Sequence, residues 1–150
     1  MIYYSGYLMK REGGKSNCAI NYALEVFGDM WSLLIIRDIV FYGKHTYGEF
    51  LDSDEHIATN ILASRLSFLE SEGILRKSAN PADKRSDIYT MAKKGLDLIP
   101  MLFELMEWGV IYNTSKTPKG AVEFAKKFKK NKTKVTKEVT AKVRAGGSIF

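Results

Sequence analysis

The segment Met30 to Phe41 carries apolar side chains on almost every helical face, interrupted only by Ser32, Arg37 and Asp38. A helix apolar all round cannot rest on a surface, so it must be the buried centre of a helical core. It falls well short of the roughly 20 apolar residues of a membrane span, so the rest of the chain has to be wrapped around it. Asp29 is placed to cap its start and Gly43 to end it. With 150 residues, 45% hydrophobic and 27% charged, the chain has the composition of a globular protein with a single core.

The neighbouring patterns predict what surrounds that centre. Ala19 to Phe27 reads as a short helix stopped by Gly28, and Tyr47 to Leu51 as another, opened by Thr46 or Gly48. After a polar connection, Thr59 is expected to cap a helix running to Glu72, with Gly73 as a left-handed exit. Ile74 to Ser78 and Asp87 to Met91 have strand character and flank a turn-rich loop, which reads as a hairpin. Lys93 to Tyr112 is a long helical pattern in which Pro100 predicts a kink or break. The order is that of a mainly α, α+β fold: a winged helix-turn-helix with a short β-hairpin wing and a long C-terminal helix.

Taking 100° per residue, Asn60, Ser64, Ser67 and Ser71 fall within about 60° of one another, and Ala63 borders them. Leu62, Leu66 and Leu69 form the opposite, core-facing stripe, widened by Ile61 and Phe68. Small uncharged hydrogen-bonding side chains let a helix enter the major groove of a DNA duplex, where Asn pairs with adenine and Ser donates or accepts. Thr59, Asn60, Ala63, Ser64 and Ser67 are therefore the candidate base-reading residues, at the N-terminal part of the helix. Arg65 lies inside the apolar arc. It either snorkels to a phosphate or forms a structural salt bridge with a carboxylate such as Glu49.

Lys84 and Arg85 at the hairpin tip are placed for phosphate contact, which positions a protein on DNA without reading sequence. The charge distribution is uneven. Residues 1–112 hold 12 Lys and Arg against 15 Asp and Glu, whereas residues 113–150 hold 11 against 2. The chain thus divides into an arm at 1–17, a body at 18–112 and a basic C-terminal extension at 113–150. In the extension Pro118 to Lys130 reads as an amphipathic helix through Val122, Ala125 and Phe128, and the remainder as mobile.

Other classes fit less well. Two histidines and one cysteine do not make the usual zinc sets, and no GxGxxG, Walker A or GxSxG pattern is present. No catalytic residue, metal or cofactor is expected, and no motif identifies a small-molecule effector. The single Cys18 excludes an intramolecular disulfide framework, and the N-terminus lacks a signal-peptide pattern, so the expected compartment is the cytoplasm, with no membrane partner. A winged-helix module that binds protein and not DNA is the alternative.

Several segments, taken in order, carry a family resemblance. They are Cys18-Ala19-Ile20 before Ala23-Leu24, Gly28 to Asp38, and Tyr47-Gly48-Glu49-Phe50. Next come Asn60 to Leu66 with Leu69-Glu70 and Gly73-Ile74-Leu75, then Tyr89 to Gly95, and Trp108-Gly109. Over about Cys18 to Tyr112 the chain resembles the HxlR-type winged helix-turn-helix regulators of bacteria and archaea. The resemblance implies a homodimeric transcription factor that places two recognition helices on a palindromic double-stranded DNA operator. It also implies subunits joined through the first helix and the long C-terminal one, where Leu98, Met101, Leu102, Leu105 and Met106 serve either the dimer interface or the core. Some relatives sense oxidants or electrophiles through a cysteine near the first helix, and Cys18 aligns with it. It is either such a redox site or a buried structural cysteine. Ala19 stands where the family often has proline.

Overall fold

The computed structural model describes residues 16–150, so the arm expected at residues 1–17 lies outside the described residues except for its last two. The central helix, α2 (Met30–Tyr42), buries Ile35, Ile36, Ile39, Val40 and Phe41. Asp29 accepts a hydrogen bond from Ser32 N–H at its start. Gly43 ends it with φ of 63°, a left-handed conformation that favours glycine. Around it stand α1 (Ala19–Phe27), α3 (Tyr47–Leu51), α4 (Thr59–Ser71), α5 (Lys93–Leu96) and α6 (Ile99–Tyr112). Leu62, Leu66 and Leu69 of α4 are buried, as the leucine stripe requires.

Two details of the expected boundaries change. Thr59 is the first residue of α4 and not its cap; Ala58 holds that position and offers no side-chain hydrogen bond. The pattern from Lys93 to Tyr112 is two helices, and the break falls at Asp97-Leu98, just before Pro100. Pro100 sits in the first turn of α6, where a missing N–H costs no hydrogen bond.

Strands β1 (Leu75–Ala79) and β2 (Asp87–Met91) pair antiparallel, from Leu75 opposite Met91 to Ala79 opposite Asp87. An isolated antiparallel bridge from Thr46 to Ile88 gives β2 a second backbone neighbour near the loop end of the hairpin. At the exit of β2 the chain passes so close to β1 that a side chain on Gly95 would meet the Ile74 carbonyl oxygen at 2.3 Å.

The larger correction concerns the extension. Residues beyond Lys130 are not a mobile remainder. Helices α7 (Lys119–Lys130) and α8 (Lys132–Arg144) fold back onto the body, and Asn131 between them caps α8. Phe124, Phe128, Val135, Val139 and Val143 join the core. Phe103 of α6 meets Phe124 and Phe128 edge-on, with ring centroids 5.1 and 5.3 Å apart. Fully burying side chains of this size contributes about 1.5–3 kcal/mol each, which outweighs the solubility of the lysines between them. The last residues complete the attachment: Ile149 and Phe150 donate backbone hydrogen bonds to Val40 and Phe41.

Candidate nucleic-acid interface

The short helix before α4 is fixed by local chemistry. Thr46 Oγ1 accepts from Glu49 N–H, while Glu49 Oε2 accepts from the N–H groups of His45 and Thr46, both at 2.8 Å. This capping box satisfies donors that the first turn leaves free. The His45 amide, the burial that opposes it, and the Thr46 amide set the Glu49 carboxyl; the hydrogen bonds prevail and hold it below its ordinary value. The Tyr47 hydroxyl donates to the Thr59 carbonyl at 2.9 Å, tying α3 to the first turn of α4. On the hairpin side, Tyr89 N–H donates to the His45 carbonyl at 2.7 Å. The first bond holds α4 to α3, and the second ties the hairpin to the segment that opens α3.

The outer edge of α4 is exposed. Thr59, Asn60, Ala63 and Ser67 are exposed and Ser64 is half-buried, while Ser71 donates to the Phe68 carbonyl one turn back. The edge consists of small side chains with hydroxyl and amide groups, and no lysine or arginine stands on it. The predicted base-reading residues therefore share one accessible face.

Arg65 does not share it. Only 9% of the residue is exposed, its Nη1 lies 3.5 Å from Asp29 Oδ2, and its guanidinium covers the Phe68 ring at 4.8 Å. Glu49, the carboxylate suggested from sequence, is taken up by the capping box. Asp29 was legible as a helix cap but not as the partner of Arg65, because 36 residues separate the two.

The hairpin tip is built from turns closed by side chains. Asn80 accepts from Ala82 N–H and Asp83 from Arg85 N–H. Lys84 and Arg85 are both exposed, and Arg85 Nε lies 3.1 Å from Asp83. The Arg85 guanidinium and amide hold the Asp83 carboxyl below its usual range. On the strands, Lys77 lies 3.4 Å from Asp87.

The polar loop between α3 and α4 is anchored to the core helix. Asp38 is 2% exposed and is bonded by Arg37 Nε at 2.9 Å and by the Ser53 hydroxyl. Arg37 also holds Glu55, with Nη2 to Oε2 at 2.9 Å, and this pairing keeps the Glu55 carboxyl depressed.

Cys18 lies exposed at the N-cap of α1, not buried. The five apolar residues assigned to a dimer interface divide. Leu102 is 6% exposed and belongs to the core, Leu98, Met101 and Met106 are half-buried, and Leu105 is exposed. Trp108, 64% exposed, and Ile111 continue the outer face of α6, and Ile20, 71% exposed, and Leu24 form one on α1. Their i, i+3 and i, i+4 spacings carried that signal in the sequence. Between α2 and α6 runs a groove of about 830 Å³ walled by Phe41, Tyr42, Trp108, Tyr112 and Phe150.

Among the described residues no three His, Cys, Asp or Glu side chains gather as metal ligands, and no helix is long and apolar enough to cross a membrane. A helix tied to α3, with an exposed small-residue edge and beside a basic hairpin, defines a winged helix-turn-helix of the kind found in transcription regulators. The profile of the HxlR-like helix-turn-helix family matches residues 26–117, more than half of the chain, and the protein belongs to that family. An HTH-type transcriptional regulator of Mycobacterium tuberculosis is 32% identical over 94 residues, covering 63% of this chain. That match spans only 58% of the relative's length. Among solved structures, PA1607, a candidate transcription factor, is 34% identical with a TM-score of 0.60, each chain being 70% covered. The redox regulator HypR in its oxidized form is 25% identical with a TM-score of 0.55, covering 61% of this chain and 94% of that one.

Proposed function

We propose that the protein is a sequence-specific, double-stranded-DNA-binding transcriptional regulator that acts as a homodimer. The observation that carries this reading is the exposed edge of α4, where Thr59, Asn60, Ala63 and Ser67 stand clear of the core beside the exposed Lys84 and Arg85. A helix with that edge fits the major groove, about 12 Å wide, and the hairpin tip lies ready for an adjacent phosphate run. Such a regulator works where the chromosome is, in the cytoplasm of a bacterium or archaeon.

The apolar outer faces of α1 and α6, with the groove beside them, support pairing of two copies. A two-fold pair would set its recognition helices about 34 Å apart, one turn of the duplex. The rival reading, a protein-binding winged helix, calls for apolar side chains on the α4 edge; those of this chain are on other helices. Cys18, an exposed thiol ahead of α1, is the residue through which an oxidant or electrophile would act, and the likeness to HypR supports that role.

The test is a mobility shift on duplex DNA from upstream of the protein's own gene, with non-specific competitor present. Retardation that survives competitor and is lost in Asn60→Ala supports the reading. Failure to retard any duplex, or retardation that ignores sequence, overturns it.

A further inference from the structure

The folded extension has two faces. Its inner side is welded to the body by Phe124, Phe128, Val135, Val139 and Val143. On its outer side, at 100° per residue, Lys119, Lys126 and Lys130 of α7 fall within about 40° of one another. Lys134, Lys137 and Arg144 of α8 fall within about 80°. All six are exposed. The extension's two carboxylates neutralise little of this charge. Glu138 lies 3.8 Å from Lys127 and 4.0 Å from Lys134, and Glu123 shares the exposed side of α7. Lys132 is engaged by Glu104 and Glu107 of α6. Among the described residues Lys126, Lys130, Lys137 and Arg144 have no carboxylate within 4.0 Å.

A helix face kept soluble by lysines normally interleaves them with glutamates, in i, i+4 pairs. Here Glu123 and the i, i+4 pair Lys134–Glu138 offset only part of the charge, and the remaining cations repel one another, an arrangement that a polyanion relieves. The body has the opposite balance, with 15 acidic residues against 12 basic through residue 112, so the extension holds the chain's whole positive excess. The platform is also linked to the DNA side of the molecule, because α5 packs both on wing strand β2 and on α8.

We propose that the outer face of α7 and α8 binds the sugar-phosphate backbone of duplex DNA flanking the site held by α4 and the hairpin. The inference rests on the DNA-binding reading above and extends it. The cations of this face are aliphatic ammonium groups and one guanidinium, which grip phosphates without selecting a sequence.

The experiment uses the full chain and a variant, Lys126→Gln, Lys130→Gln, Lys137→Gln and Arg144→Gln together. These side chains are exposed, and circular dichroism should show the fold intact. Affinity is measured against salt concentration on two duplexes: the shortest upstream fragment bound in the presence of competitor, and that fragment with about 15 added base pairs on each side. Each phosphate neutralised adds about 0.9 to the slope of log affinity against log salt. The expected result is a slope lower by about 2–4 in the variant on the long duplex, with at least a tenfold loss of affinity at low salt. On the short duplex the two proteins should agree, and discrimination against competitor should be unchanged. Equal slopes for both proteins on the long duplex overturn the proposal, as does a variant defect that appears only on anionic phospholipid vesicles. If the unmodified protein binds neither duplex, the DNA-binding reading itself fails, a result distinct from the loss of the flanking term alone.

Discussion

Asp29 serves two helices at once: Oδ1 accepts from Ser32 N–H at 2.9 Å to cap α2, and Oδ2 faces Arg65 Nη1 of α4 at 3.5 Å. Its Oδ2 also takes the Ser32 hydroxyl at 2.6 Å. One carboxylate therefore fixes the start of the core helix and the angle of the helix proposed to enter DNA.

Arg65→Ala should lower stability by about 1–3 kcal/mol, the range for a charged hydrogen bond with a partner left behind. In urea titrations Asp29→Ala should cost a similar amount, because it removes a cap as well. The double variant should cost less than the sum, and the salt slope of DNA binding should not change. A slope that falls by about 1 in Arg65→Ala would show that the guanidinium reaches phosphate instead.

At the α4 edge the expectation is a change in sequence preference. Asn60→Ala should leave the salt slope intact, because the amide carries no charge to a phosphate. It should reduce the preference for the best operator by about 1–3 kcal/mol if the amide reads one base bidentately. Competition assays with single-base operator variants locate that base pair.

Lys84→Ala and Arg85→Ala should each weaken binding to every duplex alike and reduce the salt slope by about 1. A changed ranking of sites with an unchanged slope would remove the phosphate assignment.

The outer and inner sides of α6 should respond differently. Trp108→Asp should yield a folded monomer by light scattering, because the ring lies largely in water in the single chain. Leu102→Ala should instead destabilise the fold by about 2–5 kcal/mol, the cost of a cavity in a packed core.

Acid should loosen the capping box of α3. The Glu49 carboxyl is held below its ordinary value near 4.5 in the folded chain, chiefly by the His45 amide. A depressed folded-state value means that the stabilisation is present above that ordinary value and is lost as pH falls through the lower one. Glu49→Gln should therefore flatten the pH dependence of the urea midpoint on the acid side, below the ordinary carboxylate value, and leave the neutral side unaffected.

Much of this fold was legible because its signals are local. Asp29, Thr46, Gly43 and Gly73 mark helix ends through groups within a few residues of themselves, and the leucine period of α4 orients that helix without reference to anything distant. What stayed hidden depends on contacts across the chain. The partner of Arg65 could be found only by placing α2 against α4. The amphipathic period of α7 was legible, and Val135, Val139 and Val143 put an i, i+4, i+8 stripe on α8 under its lysines. What no period within the extension gives is the partner of those stripes, since Phe103 belongs to α6. For Leu102 the sequence left interface and core both open, because apolar positions on the two sides of α6 look alike until the helix is placed; its burial puts it in the core.

The backbone hydrogen bonds from Ile149 and Phe150 reach Val40 and Phe41 at the end of α2, so residues far along the chain close on the core helix. Trimming the chain to the portion its relatives share would strip the aromatic lining from Phe41 and Phe103 and leave wet hydrocarbon where the centre now lies dry. The family match ends at residue 117 while the buried core runs on to Val143, so a boundary drawn at the first passes through the second.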